Sequence, residues 1–236
     1  MLSRRAFCGC ASAALWSGFA ATRAGAEPAA CAVMTRDNQH AMSPNEALDR
    51  LKAGNARFVG GETVNCDLMR QVKETAAGQA PFAAVVGCID SRVPPELVFD
   101  QRIGDIFCAR IAGNFINADI VGSLEFATRL SGARAIVVLG HSNCGAIKGA
   151  IDNARLGHLT ATLANIRPAV KAARADGERN AKNAAFVQAV AEANVRAGVK
   201  RLTTGSKVLK KLVAAGELRI VGAMHDLASG RIDWLG

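Results

Sequence analysis

Tyrosine is absent from all 236 residues, and aromatic side chains make up only 5% of them. So few rings, with no recognisable nucleic-acid motif, argue against RNA or single-stranded DNA as a partner, because such recognition leans on base stacking. The net charge of +9 could favour anionic substrates, but the basic residues spread along helical segments such as 200–211 and read as a solvated face. No apolar run reaches the ~20 residues of a spanning helix. Internal repeats, low-complexity linkers and a second domain boundary are missing as well, and 236 residues suit one domain. What is abundant is apolar side chain. Half of the residues are hydrophobic, enough for a large core.

The first thirty residues differ from the rest. They carry a basic start, a modestly apolar middle over 11–21 and Ala24-Gly25-Ala26, which together form a signal peptide with cleavage after Ala26. Ser3-Arg4-Arg5-Ala6-Phe7 resembles the motif read by the twin-arginine export machinery. Residues 1–26 are therefore expected to be removed and the mature chain to work in the periplasm without a stable membrane anchor. Residues 27–42 form an N-terminal segment, and 43–236 a single folded domain. Cleavage leaves five of seven cysteines: Cys31, Cys66, Cys88, Cys108 and Cys144. Oxidising compartments favour pairing, and an odd number leaves at least one thiol out. Cys31 and Cys66 flank the first helix and could pair after export; free, buried thiols are the alternative. Cys108 reads as a small apolar side chain on a strand.

Three segments have the continuous apolar character of strands covered on both faces: 82–88 (FAAVVGC), 106–111 (IFCARI) and 135–139 (AIVVL). A fourth, 218–223, follows a long helical region, and 231–235 closes the chain as an antiparallel edge. Ser43-Pro44-Asn45-Glu46 is a capping box with proline at the first helical position, opening a helix over 44–58. Further helices are expected over 119–130, 159–173 and 183–215, with breaks near Asp176-Gly177 and Thr203-Thr204-Gly205. The fold class is α/β: a mostly parallel central sheet with flanking helices and an antiparallel C-terminal edge strand.

In such sheets ligands gather at the carboxyl ends of the strands. The first strand ends in Cys88-Ile89-Asp90-Ser91-Arg92, the third in His141-Ser142-Asn143-Cys144. An H-x-x-C pair alone is a weak metal signal. Both loops, however, leave the same edge of a parallel sheet, so Cys88, His141 and Cys144 can converge. Two thiolates and one imidazole suit zinc, and three protein ligands leave one position for chemistry. The stretch after Cys144, Gly145-Ala146-Ile147, reads as a helix start whose positive end favours the thiolate. Gly145 lets the backbone pass close to the metal.

C-x-D-S-R followed by H-x-x-C resembles the β-class carbonic anhydrases. The likeness extends through Gly104–Asn114, Gly78-Gln79-Ala80-Pro81 and the closing hairpin over 222–235, and covers roughly residues 43–235. It implies reversible hydration of carbon dioxide to bicarbonate and a proton by a zinc lyase with one Zn²⁺ per chain, held by Cys88, His141 and Cys144. Asp90 and Arg92, which alone would read as a surface ion pair, become a catalytic dyad: the arginine keeps the carboxylate ionised, and the carboxylate orients the attacking water. Some members of the family show a closed site in which this carboxylate occupies the metal. Gln79, Phe107, Ala112, Phe126 and Gly145 match positions on the substrate side, with Phe126 standing where many plant-type members carry tyrosine. The second bicarbonate site of some members needs a tryptophan, here Val85, and a tyrosine, which this chain lacks, so regulation of that kind is not expected. Because two thiolates offset the charge of zinc, activity is expected to rise into the alkaline range. His40, His158 and His225 read as surface or hydrogen-bonded core. The resemblance also implies a homodimer or homotetramer, with the helix over 44–58 as an arm onto the neighbour. Hydrolysis of carbonyl sulfide or carbon disulfide on the same zinc is the alternative activity. A non-catalytic zinc or thiol module is the alternative class.

Overall fold

Four of the five extended segments become parallel neighbours, and the fifth turns back. The computed structural model describes residues 31–235. Residues 1–26, expected to be a signal peptide with its Arg4-Arg5 pair, lie outside the described residues. The strands are β1 (Ala83–Gly87), β2 (Ile106–Arg110), β3 (Ala135–His141), β4 (Arg219–His225) and β5 (Ile232–Leu235), in the order β2-β1-β3-β4-β5. β1 pairs in parallel with β2 and β3, and β3 with β4, whereas β5 runs antiparallel against β4. From β1 the chain goes outward to β2 and then returns to the other side as β3. The order therefore reverses between β1 and β3, and loops leaving those two strands open a crevice at their carboxyl ends.

β1 and β3 are buried along their whole length, as their unbroken apolar runs require. Their side chains alternate between two cores. Ala84, Val86, Ile136 and Val138 face one cluster, and Ala83, Val85, Val137 and Leu139 face the other. The first cluster is closed by α6 (Gly145–Ile151), α7 (Leu159–Ala164), α8 (Arg167–Ala172), α9 (Ala184–Gly205) and α10 (Lys207–Ala214). The second is closed by α2 (Pro44–Gly60) and α4 (Pro95–Val98). α1 (Arg36–Ala41) and α3 (Leu68–Thr75) lie at the N-terminal side, and α5 (Ala118–Glu125) joins β2 to β3. Among the described residues, no helix is long and apolar enough to cross a membrane.

Several expectations are refined. The capping box forms as read, with the Ser43 hydroxyl accepting from the Glu46 amide and the Glu46 carboxylate accepting from the Ser43 amide. β2 is not buried on both faces. It is an edge strand, half-buried along most of its length, and an apolar run does not say which strand ends up outermost. The helix expected over 119–130 stops at Glu125 and finishes as a π-helical turn, Phe126–Leu130, closed by the Ser131 amide on the Phe126 carbonyl at 3.0 Å. The stretch 159–173 divides into α7 and α8, with Pro168 in the first turn of α8. Ser206 separates α9 from α10, its hydroxyl accepting from the Leu209 amide. Cys31 and Cys66 are joined as a disulfide. Cys88, Cys108 and Cys144 are free, and Cys108 is half-buried on β2.

Candidate metal centre

The three donors expected to converge do so. Cys88 follows the last residue of β1, His141 ends β3, and Cys144 caps the N-terminus of α6. Their ligand atoms lie within 4.8 Å of one another, and all three residues are buried. The cluster sits where the strand order reverses, which is why residues 53 positions apart in sequence can share it. Two local features return Cys144 to the strand end. Asn143 takes a left-handed backbone with φ of 54°, which asparagine tolerates better than most residues. Ser142 is held on both sides, its amide donating to the His225 carbonyl and its hydroxyl accepting from the Leu227 amide, each at 2.9 Å.

The donor set fits a zinc ion. His141 Nδ1 lies 2.9 Å from the Ser142 carbonyl. A carbonyl can only accept, so Nδ1 carries the proton and Nε2 keeps its lone pair. Nε2 is buried with no hydrogen-bond partner, a costly state for a polar atom unless a ligand satisfies it. The sulfurs of Cys88 and Cys144 stand 4.0 Å apart. Sharing a proton, they separate in acidity. The Cys144 thiol donating to Cys88 pulls the Cys88 thiol down to about 4 against the effect of burial, helped by His141 and by the Gly113 and Asp90 amides. The same bond and burial push Cys144 up, although the Ile147 and Ala146 amides at the start of α6 act the other way. The two thiols thus move apart, Cys88 down and Cys144 up, so the helix start acts in the expected direction on Cys144 but is outweighed there by Cys88 and burial.

Asp90 and Arg92 form the expected pair with full geometry. Arg92 Nε and its backbone amide donate to Asp90 Oδ1 at 2.9 and 3.0 Å, and Nη2 donates to Oδ2 at 2.7 Å. These bonds hold the Asp90 carboxyl far below the usual carboxylate range, so it is ionised at any working pH. Its Oδ2 lies 3.8 Å from His141 Nε2. The carboxylate therefore borders the three donors while Arg92 keeps it from joining them.

Two contacts had no sequence reading. Arg110, at the end of β2, donates from Nε to the Cys88 carbonyl at 2.9 Å and from Nη2 to the Asp90 carbonyl at 2.6 Å, clamping the loop that carries both residues. The Gly113 amide donates to Cys88 Sγ at 3.2 Å. No motif spacing signals either, because both depend on β2 lying beside β1.

Of the residues assigned to the substrate side, Gly145 follows Cys144 and Ala112 precedes Gly113, so both adjoin the cluster, whereas Gln79, Phe107 and Phe126 are placed apart from it. Phe107 and Phe126 meet edge-on at 6.1 Å and line a cleft of about 610 Å³ at the β2 edge, with Ala84, Ala109 and Ala127. None of the three donors lines that cleft. Phe126 is exposed there, Ala112 is half-buried and Gln79 is exposed. Gln79 precedes β1, whereas Cys88 follows it. A strand of five residues spans ~16 Å, so Gln79 sits at the opposite edge of the sheet. Gly145 is the first residue of α6, beside Cys144. Of the remaining histidines, His40 and His158 are exposed. His225 is buried, and neither ring nitrogen has a partner, which departs from the hydrogen-bonded core expected of it.

Comparison with known proteins agrees with this geometry. The family model described as carbonic anhydrase matches residues 83–232. Carbonic anhydrase 2 of Mycobacterium tuberculosis is 35% identical over 195 residues, covering 80% of this chain and 91% of that protein. The carbonic anhydrase of Mycolicibacterium smegmatis is 35% identical over 198 residues, covering 81% and 93%. Among solved structures, a tetrameric β-carbonic anhydrase of Sordaria macrospora superposes with a TM-score of 0.60 at 27% identity, over 71% of this chain and 90% of that one.

Proposed function

The chain belongs to the β-class carbonic anhydrases, and from that premise we propose which of its residues carry the reversible hydration of carbon dioxide and where it does so. The enzyme is a zinc lyase. Cys88 Sγ, His141 Nε2 and Cys144 Sγ would hold the ion, which as a Lewis acid would ease the loss of a proton from water. The observation that carries this reading is His141 Nε2, buried without a hydrogen-bond partner and within 4.8 Å of two buried sulfurs.

Asp90 accepts a hydrogen bond from the attacking water and orients it towards carbon dioxide. Because Arg92 keeps its carboxyl so acidic, Asp90 aligns the water without retaining its proton. Arg92, with about half of its side chain exposed, holds the carboxylate through a two-pronged contact that lysine cannot reproduce. Arg110 holds the backbone beneath both Cys88 and Asp90. Removing His141 tests the assignment directly: His141→Ala is expected to lose its zinc and its hydration activity together, whereas Asp90→Asn keeps zinc and loses activity. Zinc retained in full by His141→Ala would refute the ligand set.

Gln79 lies at the opposite edge of the sheet, and Phe107 and Phe126 line a cleft that none of the donors lines, so their substrate role calls for a second copy of the chain. The tetrameric relative supports an oligomer, as do the exposed apolar side chains Phe126, Leu130 and Leu97. Sedimentation of the purified protein tests this, and a monomer would remove Gln79 from the site. The carbonic anhydrase name of the relatives supports carbon dioxide over carbonyl sulfide.

The protein acts in the periplasm after export. The basic, apolar and Ala24-Gly25-Ala26 pattern supports this, as does the Cys31–Cys66 disulfide, since such bonds persist in oxidising compartments. Export of folded protein would let zinc load before Cys88 and Cys144 meet an oxidant. The mass of the mature protein from a periplasmic fraction decides it: a chain beginning at Glu27 is expected, and a full-length chain confined to the cytoplasm would contradict it.

A further inference from the structure

Helix α9 buries a stripe made of Val187, Val190, Ala191, Asn194, Val195, Gly198 and Leu202 along with Phe186. One member is polar. Asn194 is only 4% exposed, and leucine, with the same branched outline, would leave no amide to satisfy there. Its Nδ2 donates to the carbonyl of Gly113 at 2.8 Å, across 81 residues of sequence. On the other side of the same Cα, the Gly113 amide donates to Cys88 Sγ at 3.2 Å.

Both ends of this chain of contacts are closely packed. Gly113 has φ of 79°, and a Cβ there would stand 2.4 Å from Ile166 Cδ1. One turn beyond Asn194, a Cβ at Gly198 would come within 3.2 Å of Ile116 and Val138, so α9 lies close against the turn it serves. We propose that Asn194 is a positioning residue for the metal centre: by fixing the Gly113 carbonyl it keeps the Gly113 N–H on the sulfur of Cys88. An N–H donated to a thiolate withdraws charge from it and fixes the direction of its lone pairs. The charge that Cys88 offers a metal is thus set in part by a helix with no residue in the cluster. This rests on the metal reading of Cys88, which Cys88→Ala tests separately by abolishing metal binding.

The test uses the full chain with cobalt(II) in place of zinc, so that the thiolate-to-cobalt absorption band reports the sulfur. Zinc affinity is measured alongside by competition with a chelator. Three variants are compared: Asn194→Leu, Asn194→Ser, whose hydroxyl is too short to reach the Gly113 carbonyl, and Leu202→Ala, which loosens the same helix away from Gly113. Asn194→Leu is expected to bind zinc about 10–100-fold more weakly, the usual effect of losing an outer hydrogen bond on a ligand, and to shift the cobalt band. Leu202→Ala is expected to lose thermal stability with band and affinity unchanged. If Asn194→Leu does not fold, Asn194→Ser is judged by the same two readings. A folded Asn194 variant with wild-type band and affinity would overturn the proposal. So would Leu202→Ala moving both as far as the Asn194 variant does.

Discussion

At the scale of single residues, the site separates groups that hold from groups that act. The three donors are buried, whereas Arg92 stands partly in solvent. An exposed ion pair contributes little to stability, so its value here lies in orientation. Arg92→Ala is accordingly expected to leave the melting temperature nearly unchanged and to lower kcat by about 10²-fold, in line with losing a positioned acid–base partner. Arg92→Lys recovers part of this at most, because one ammonium cannot grip both carboxylate oxygens. Stopped-flow kinetics beside a thermal melt checks it. Unchanged kcat in Arg92→Ala would mean that Asp90 holds its place unaided. This is also the scale at which the sequence was most readable. C-x-D-S-R and H-x-x-C named the donors and the dyad because each motif lies within one loop. Arg110, Gly113 and Asn194 were invisible, since their partners are carbonyls and a sulfur in loops distant in sequence and carry no spacing signal.

At the scale of elements, strand ends were legible and strand neighbours were not. Continuous apolar runs located β1 and β3, and Ser43-Pro44 located the start of α2. Which strand lies at the edge depends on pairing, and only the structure places β2 outermost. Helix α2 packs on the end of α4 through Gly54, where a Cβ would run into the Phe99 carbonyl oxygen. Backbone cannot yield as a side chain end can, so Gly54→Ala is expected to destabilise by about 3 kcal/mol, the upper range for overpacking. Chemical denaturation reads this directly, and a neutral result would mean that α2 is free to slide. The Cys31–Cys66 bond closes a loop with a sequence separation of 35, tying residue 31 to the start of α3. Loss of such a loop costs about 3–4 kcal/mol, so Cys66→Ser is expected to melt roughly 10 °C lower with the zinc content intact.

At the scale of the whole molecule, acid stability follows from a buried cluster beneath the N-terminal segment. Burial raises the carboxyl of Asp100, but Arg102 at 2.9 Å and Arg57 at 2.5 Å outweigh it, and the net shift is downward. A carboxylate held below its unfolded value of about 3.9 stabilises above that pH and loses its contribution as pH falls through the folded value. Asp105 works the other way. Burial dominates over Arg50 at 2.8 Å and raises its carboxyl, so its contribution is present when protonated and is lost as pH rises. The difference in melting temperature between wild type and Asp100→Asn is therefore expected to be largest near ~pH 6 and to shrink towards ~pH 3. A constant difference across that range would show that the Asp100 charge plays no part.

The central claim is that Cys88, His141 and Cys144 hold one zinc that drives carbon dioxide hydration. Stopped-flow hydration, with zinc content measured on the same sample, tests it most directly when wild type and Cys88→Ala are run together. Rapid hydration with zinc bound in the wild type, and loss of both in the variant, is the predicted result. Zinc bound in the wild type with no hydration at any alkaline pH would contradict the account and turn attention to carbonyl sulfide as the substrate.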